Sequence, residues 1–283
     1  MTPRSPRLGS PRLAIGIDVG GTKTLAELVD TSTGHVVASR RHPTDAADGG
    51  MGVLNRCVAL ARELCSGSDT SHPPIGIALC EMVDLDGMPT TAATVDWLGV
   101  DVDAAFAELG PVTVESDVRA AAIAESRFGA ANTVDQFVYV TVGTGIAFTL
   151  MLGGVPYRGA RGNAILLGIP PVERVASGPA IAAQAAAASA EAAFGDPGAA
   201  GVITEAACKL GIAMAWLSNA LDPELIVVGG GLGLRPDFLA AAVHAMNAGI
   251  VDAGGSLVEV RPASLGERSA AIGAAIVAAD AAG

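Results

Sequence analysis

The residues best suited to chemistry lie close together at Ala14–Thr24, AIGIDVGGTKT. Gly20 and Gly21 carry no Cβ, so a bulky anion can approach their backbone amides directly. Thr22 adds a hydroxyl donor and Lys23 a cation beside them. Asp18 places one carboxylate just before the glycines, where it could hold Mg2+ through water. On residue types alone two readings stay open, an anion cradle and an ordinary tight hairpin. A P-loop is excluded. Gly16 and Gly21 have its separation, but Thr22-Lys23 follows where Lys-Ser/Thr is required.

These residues need elements to position them. Leu13, Ile15, Ile17 and Val19 alternate as a strand. The run breaks at Gly20-Gly21 and resumes from Thr22 into Leu25–Val29, which predicts a hairpin with a two-glycine turn. A third strand is expected over Val36–Ser39, a helix over Val53–Cys65, a loop over Ser66–Pro74 and a buried strand over Ile75–Cys80. Asp86-Gly87 is a turn signal. A short helix at Val102–Leu109 precedes a strand at Val112–Glu115, which feeds Ser116-Asp117 and a helix over Val118–Phe128.

The opening arrangement then recurs. A strand at Phe137–Val142 meets Gly143-Thr144-Gly145 and returns over Ile146–Leu152, a sign of internal duplication. Ala-rich helices are predicted at Ala180–Phe194 and Gly198–Leu221. A strand at Leu225–Val228 ends in Gly229-Gly230-Gly231, with a helix from near Pro236, a strand at Val258–Val260 and a helix over Glu267–Ala282. Hairpins followed by alternating strands and helices, in both halves, predict an α/β fold in two domains with a cleft between them.

Composition narrows the partners. In 283 residues, 51% are hydrophobic and only 4% aromatic, so Ala, Val, Leu and Ile must build the core. A net charge of −12 argues against nucleic-acid or membrane-surface binding, because those partners are polyanionic. Cys57, Cys65, Cys80 and Cys208 include no C-x-x-C pair and read as buried free thiols in a reducing cytoplasm. No uncharged apolar run approaches the ~20 residues needed to cross a bilayer. Residues 1–12, with three Arg and three Pro and no apolar stretch, are expected to be a disordered tail.

Taken in order, the motifs resemble those of the ROK family, sugar kinases of the actin-like ATPase (ribonuclease H-like) fold. Asp18 to Thr24 is similar to the family's first phosphate motif, Gly143-Thr144-Gly145-Ile146 to the second, and Val228 to Gly231 to the adenosine-side motif. Pro111 through Asp117, then Ala120–Ala122 and Glu125–Gly129, is similar to the segment that carries the catalytic aspartate. Glu173–Pro179 resembles a glucokinase stretch whose glutamate binds sugar. The resemblance runs from about residue 13 to the C-terminus. It implies a first domain of residues 13–113 plus 268–283 and a second of 114–267.

The implied chemistry is phosphoryl transfer from ATP to a small-molecule polyol. That reaction needs positioning, charge neutralisation and a base for the attacking hydroxyl. The glycine turns (Gly20, Gly21, Thr22, Lys23; Gly143, Thr144, Gly145; Gly229, Gly230, Gly231) would grip the nucleotide, and Asp18 would hold Mg2+ in its water shell. Asp117 would take the hydroxyl proton. Its place at a strand-to-helix junction equally suits a helix N-cap. The resemblance also implies a homodimer.

The departures bear on substrate. Family members have Asn before the catalytic Asp; here it is Ser116, a candidate substrate contact. The Gly-Glu-x-Gly-His stretch aligns with Ile165–Ile169, so Leu166 replaces the sugar-binding Glu and Ile169 the His. The zinc cluster after that His is absent, so no zinc is expected. A buried hydroxyl facing leucine costs ~1–3 kcal/mol, which disfavours an ordinary hexose. Cys80-Glu81 stands where Pro-Gly is usual. Glu81, Thr94 and Asp96 are candidate replacement contacts or plain loop residues, and Glu173 either holds the ring or starts a surface helix. The resulting expectation is an ATP-dependent kinase of a cyclitol or modified sugar. The alternative is a non-catalytic sugar-responsive binding protein of the same fold. A transcriptional repressor is disfavoured by the acidic charge and the missing N-terminal DNA-binding module.

Overall fold

In the computed structural model, which describes residues 12–66, 72–165 and 172–283, the chain divides into two compact units. Unit 1 contains residues up to Glu81, Pro89–Ala120 and Ala270–Gly283; unit 2 contains Met82–Met88 and Ala121–Ser269. Unit 1 extends past residue 113 because the strand there is hydrogen-bonded into its sheet as far as Ser116. Arg12, placed with the tail by sequence, has a carbonyl that accepts the Thr31 amide and hydroxyl, both at 2.9 Å.

The alternating run forms β1 (Leu13–Val19), paired antiparallel with β2 (Lys23–Asp30) from Leu13↔Asp30 to Val19↔Thr24. β3 (His35–Pro43) exceeds its predicted span because the ladder with β2 continues out to Lys23↔Pro43. Its outer residues Arg40, Arg41 and His42 are exposed and polar, so they carry no hydrophobic signal. α1 (Gly49–Ser66) starts before the predicted Val53 and buries Val53, Leu54, Cys57, Ala61 and Leu64. β4 (Ile75–Leu79) is buried throughout and pairs parallel with β1. α2 (Val102–Phe106) is shorter than predicted, capped by Asp101, whose carboxylate accepts the Ala104 amide at 2.9 Å. β5 (Val112–Ser116) joins β4, and α3 (Asp117–Phe128) follows without a break.

The second sheet repeats the first. β6 (Gln136–Val142) and β7 (Ile146–Leu152) make the second hairpin, with β8 (Val155–Pro156) beside β7. After the short α4 (Val172–Ala176), α5 (Gly178–Gln184), α6 (Ala190–Phe194) and the long α7 (Ala200–Leu221) come β9 (Leu225–Gly229), α8 (Pro236–Asp252) and β10 (Glu259–Pro262). The strand orders are β3-β2-β1-β4-β5 and, read from its other edge, β8-β7-β6-β9-β10. In each sheet three antiparallel strands are extended by two parallel ones. The internal duplication read from two glycine turns therefore extends to the whole of both sheets.

Several predicted helices are corrected. The single helix over Ala180–Phe194 is two, because Ala186 adopts φ 50° and Ser189 caps α6 through the Ala192 amide at 3.2 Å. Alanine propensity is uniform along that stretch, so the cap decides the break. The predicted helices from Gly198 and Glu267 each begin with a 3-10 turn, at Pro197–Ala199 and Gly266–Arg268. β8 and α4 carry too few residues to be read by periodicity. The predicted loop after Ser66 lies outside the described residues over 67–71, as do Leu166 and Ile169.

Among the described residues, α7 with its preceding turn is long and apolar enough to cross a membrane by length and composition. It contains Glu205 and Lys209 and lies against α8, where Gly211 lets the Ala242 carbonyl into the space a Cβ would fill. A similar device closes unit 1 through α9 (Ser269–Ala282). Gly16 and Gly76 are register partners on β1 and β4, and a Cβ on them would overlap the Ala271 and Ala274 carbonyls. Gly273 in turn admits the Ala120 carbonyl of α3. The last helix thus seats its backbone on the sheet through a paired-glycine slot.

Candidate active site

In unit 1 the predicted residues converge on the ends of β1, β4 and β5. The turn after β1 is a three-residue loop, Gly20–Thr22, in place of the predicted two-glycine turn. Neither glycine has the left-handed φ that a two-residue turn of that kind demands. The Gly20 amide bonds back to the Lys23 carbonyl at 3.0 Å. A Cβ on Gly21 would stand 3.0 Å from Thr94 Cγ2, so glycine is used for close approach. Thr44, which the sequence did not single out, braces this loop. Its hydroxyl donates to the Gly20 carbonyl at 2.6 Å, and its amide to the Thr22 carbonyl at 3.1 Å. Thr22 and Lys23 are exposed at the tip, and Asp18 is half-buried on β1 just before it.

Asp117 opens α3, and its Oδ1 accepts the Val118 amide at 2.6 Å. As a whole residue Asp117 is half-buried. Burial pushes its carboxyl up from 3.8 to about 6; the Val118 amide opposes the rise, the Glu81 charge adds to it and the Arg119 guanidinium opposes it. Ser116 is fully buried, and its Oγ has no hydrogen-bond partner. Beneath lies a pair that sequence reasoning passed over: Arg119 Nε donates to Glu115 Oε1 at 2.6 Å, with both side chains buried. Glu115 Oε1 also accepts the Ser116 amide at 2.8 Å. The i,i+4 spacing of these opposite charges on the sequence was the signal available.

Three candidate substrate contacts take different roles. Glu81 is 3% exposed, and its carboxylate is engaged by its own chain. Oε2 accepts the Thr91 hydroxyl at 2.5 Å and the Ala93 amide at 2.9 Å; Oε1 accepts the Thr94 and Val95 amides at 2.6 and 3.1 Å. Thr94 also hydrogen-bonds the Cys80 thiol, which burial pushes up to about 12 with the charges of Asp117, Glu81 and Asp18 adding. Asp96 is not part of this convergence. It is exposed, its carboxylate accepts the Leu98 amide at 3.2 Å and its carbonyl accepts the Gly50 amide at 3.0 Å. Of the cysteines, predicted buried, only Cys57 is fully so; Cys65, Cys80 and Cys208 are half-buried free thiols.

Unit 2 brings its own glycine turns together. The Gly143 amide bonds the Gly145 carbonyl at 3.0 Å, and a Cβ on Gly143 would meet open space. The Gly143 carbonyl accepts the Gly178 amide at 2.7 Å, which docks α5 on the turn. Glu173 is exposed on α4, with Oε1 3.4 Å from the Ile146 amide and 3.1 Å from where a Gly145 Cβ would be. Gly230, at φ 80°, admits the Val142 carbonyl, which also accepts the Leu232 and Gly233 amides at 3.0 and 3.2 Å. The adenosine-side motif is thereby tied to the last residue of β6, immediately before Gly143. Gly231 is open.

Known proteins resemble this chain in sequence and in fold. The bifunctional enzyme NanE/NanK of Brucella suis is 35% identical over 254 residues, 81% of this chain and 46% of that protein; the chain spans about half its length. Kanosamine kinase of Amycolatopsis mediterranei is 28% identical, with 96% of this chain and 97% of that protein covered. Among solved structures, a ROK family glucokinase from Streptomyces griseus, in complex with glucose and AMPPNP, superposes with a TM-score of 0.80 at 26% identity, covering 95% and 99% of the two chains. The ROK hexokinase from Thermus thermophilus gives 0.78 at 28% identity over 95% and 99%. Residues 14–281 match the ROK family, and with two sheets of one topology and glycine turns at the head of each, this chain belongs to it.

Proposed function

We propose that the protein is an ATP-dependent kinase that phosphorylates a hydroxyl of a sugar-like polyol, with Asp117 as the base. The observation that carries this reading is the setting of Asp117. A carboxylate raised to about 6 opens a helix in the same unit as Asp18 and the Gly20–Thr22 loop. Such a base is largely ionised at neutral pH yet basic enough to take a proton.

In the reaction, the acceptor hydroxyl gives its proton to an Asp117 oxygen as its own oxygen forms a bond to the γ-phosphorus. The bond from that phosphorus to the bridging oxygen breaks, and ADP leaves with the electron pair. The Gly20–Thr22 and Gly143–Gly145 turns are proposed to hold phosphate oxygens, and Gly229–Gly231 the nucleoside side. Asp18 fits a magnesium ion held through water, because Mg2+ keeps several waters and needs only one or two carboxylates besides phosphate. Bound there, the ion would neutralise charge on the phosphates. Thr94 and Glu173 are the polar groups proposed to face the acceptor; Ser116, next to Asp117 in sequence, is fully buried.

The acceptor is proposed to be a modified sugar or a cyclitol. Leu166 and Ile169 stand where the family resemblance implies a sugar-binding Glu and a His, and a kanosamine kinase aligns across nearly the whole chain. The free thiols support a reducing cytoplasm as its location. The test is a panel of hexoses, aminosugars and cyclitols with ATP and magnesium, read as ADP release. Turnover is expected with at least one non-glucose acceptor, and is abolished by Asp117→Asn while nucleotide binding persists. Nucleotide uptake without turnover on any acceptor would favour a sugar-responsive binding protein.

A further inference from the structure

Glu81 stands at the end of β4 with both carboxylate oxygens taken by the segment Thr91–Val95. Three successive amides, of Ala93, Thr94 and Val95, converge on this one carboxylate, which fills the anion site such a run of N–H groups creates. The segment it gathers is the one that carries Thr94 against Gly21 and onto the Cys80 thiol. One side chain therefore fixes the end of β4 and the Thr94 segment relative to one another.

We infer that Glu81 is a positioning residue: it never touches the acceptor, but it holds Thr94 in the geometry that selects the acceptor and presents its hydroxyl to Asp117. This rests on the kinase reading above. A residue kept only to fold the loop could be any group that satisfies these donors. Glu81 also brings a full negative charge into a crowded electrostatic setting. Asp117 faces it from α3 together with the Arg119 guanidinium, Glu115 lies on β5, and Asp18 on β1 acts with it on the Cys80 thiol next in sequence. In this setting Glu81 opposes ionisation of the base and Arg119 favours it, so the pH at which the base becomes competent depends on both.

The experiment compares wild type with Glu81→Gln and Glu81→Asp. Glutamine keeps one acceptor oxygen but points an amide N–H2 at donors, so two of the four bonds lose their acceptor. Hydrogen exchange of the Ala93, Thr94 and Val95 amides should accelerate at least tenfold in Glu81→Gln, with exchange in α1 unchanged. Acceptor KM should rise about tenfold or more, ATP KM should stay within twofold, and the acid limb of the kcat/KM profile should move to lower pH. Glu81→Asp keeps the charge and should restore the acid limb while recovering KM only in part. Unchanged exchange overturns the inference whatever the protein catalyses. Faster exchange with an unchanged acceptor KM also overturns it, because the carboxylate would then serve the loop alone. A wild type that transfers phosphate to no acceptor overturns the kinase reading instead, and the exchange arm then decides the loop's anchorage by itself.

Discussion

Replacing Asp117 by Asn should make the protein more stable and inactive at once, and the stability gain should depend on pH in a defined direction. In the folded chain Asp117 titrates at about 6, against 3.8 as its ordinary value, with burial as the largest cause. Below about pH 4 both folded and unfolded chains hold this proton, and the residue adds no pH dependence. Between about 4 and 6 the folded state retains a proton that the unfolded state has released, so stability falls as pH rises. Above about 6 the loss is complete. The rise from 3.8 to about 6, at ~1.4 kcal/mol for each pH unit, sets a ceiling of ~3 kcal/mol. The residue as a whole is half-buried, and a discount for solvent screening gives about 2 kcal/mol as the expected figure. Asparagine is neutral at every pH and can still accept the Val118 amide. At pH 7.5 the variant should therefore melt about 4–8 °C above wild type, and at pH 4 the two should coincide. Thermal melts across this range provide the assay, with kcat/KM profiles alongside. Wild-type kcat/KM should climb about tenfold per unit below pH 6 and level off above it. A stability difference that is the same at pH 4 and pH 7.5 would refute the raised titration, and with it the electrostatic account of the base.

Three further substitutions probe glycines within the two units, and a fourth probes the acceptor side. Gly230→Ala forces a Cβ into the Val142 carbonyl from a left-handed backbone and should lower stability by several kcal/mol, ~3 or more, in denaturant melts. Gly143→Ala, where a Cβ meets open space, should fold with stability within about 1 kcal/mol of wild type yet raise the KM for ATP severalfold, because the methyl obstructs an approaching phosphate. Gly76→Val should fail to give a folded unit 1, visible as loss of the cooperative melt, since the Ala274 carbonyl of α9 already fills that space. Leu166→Glu introduces a carboxylate where the family resemblance implies the sugar-binding Glu, and should raise kcat/KM on glucose about tenfold; no change would mean that the resemblance is out of register there.

Much of this was legible along the chain because it is encoded locally. Leu13, Ile15, Ile17 and Val19 alternate, so β1 could be bounded to the residue, and the second hairpin was legible from the apolar run at Phe137–Val142. Asp117 and the glycine motifs could be named because their order along the sequence resembles a known family. Where local signals are uniform or absent, reading failed. Alanine has the same propensity on both sides of Ala186, so the break between α5 and α6 was invisible, and the polar end of β3 carried no apolar period.

Glu81 shows most clearly where sequence stops. Its type and its place at a strand end suited a contact to substrate, and nothing in the order of residues says that Thr91, Ala93, Thr94 and Val95 will return to occupy it. Fold class, the duplicated hairpins and the glycine breaks between their strands could be read from the linear chain, since each follows from short-range pattern. Which carboxylates are free to react and which are held by their own chain emerges only once the chain is packed. That depends on burial and on hydrogen-bond partners ten or more residues away, and the register of a loop against a strand is set by packing.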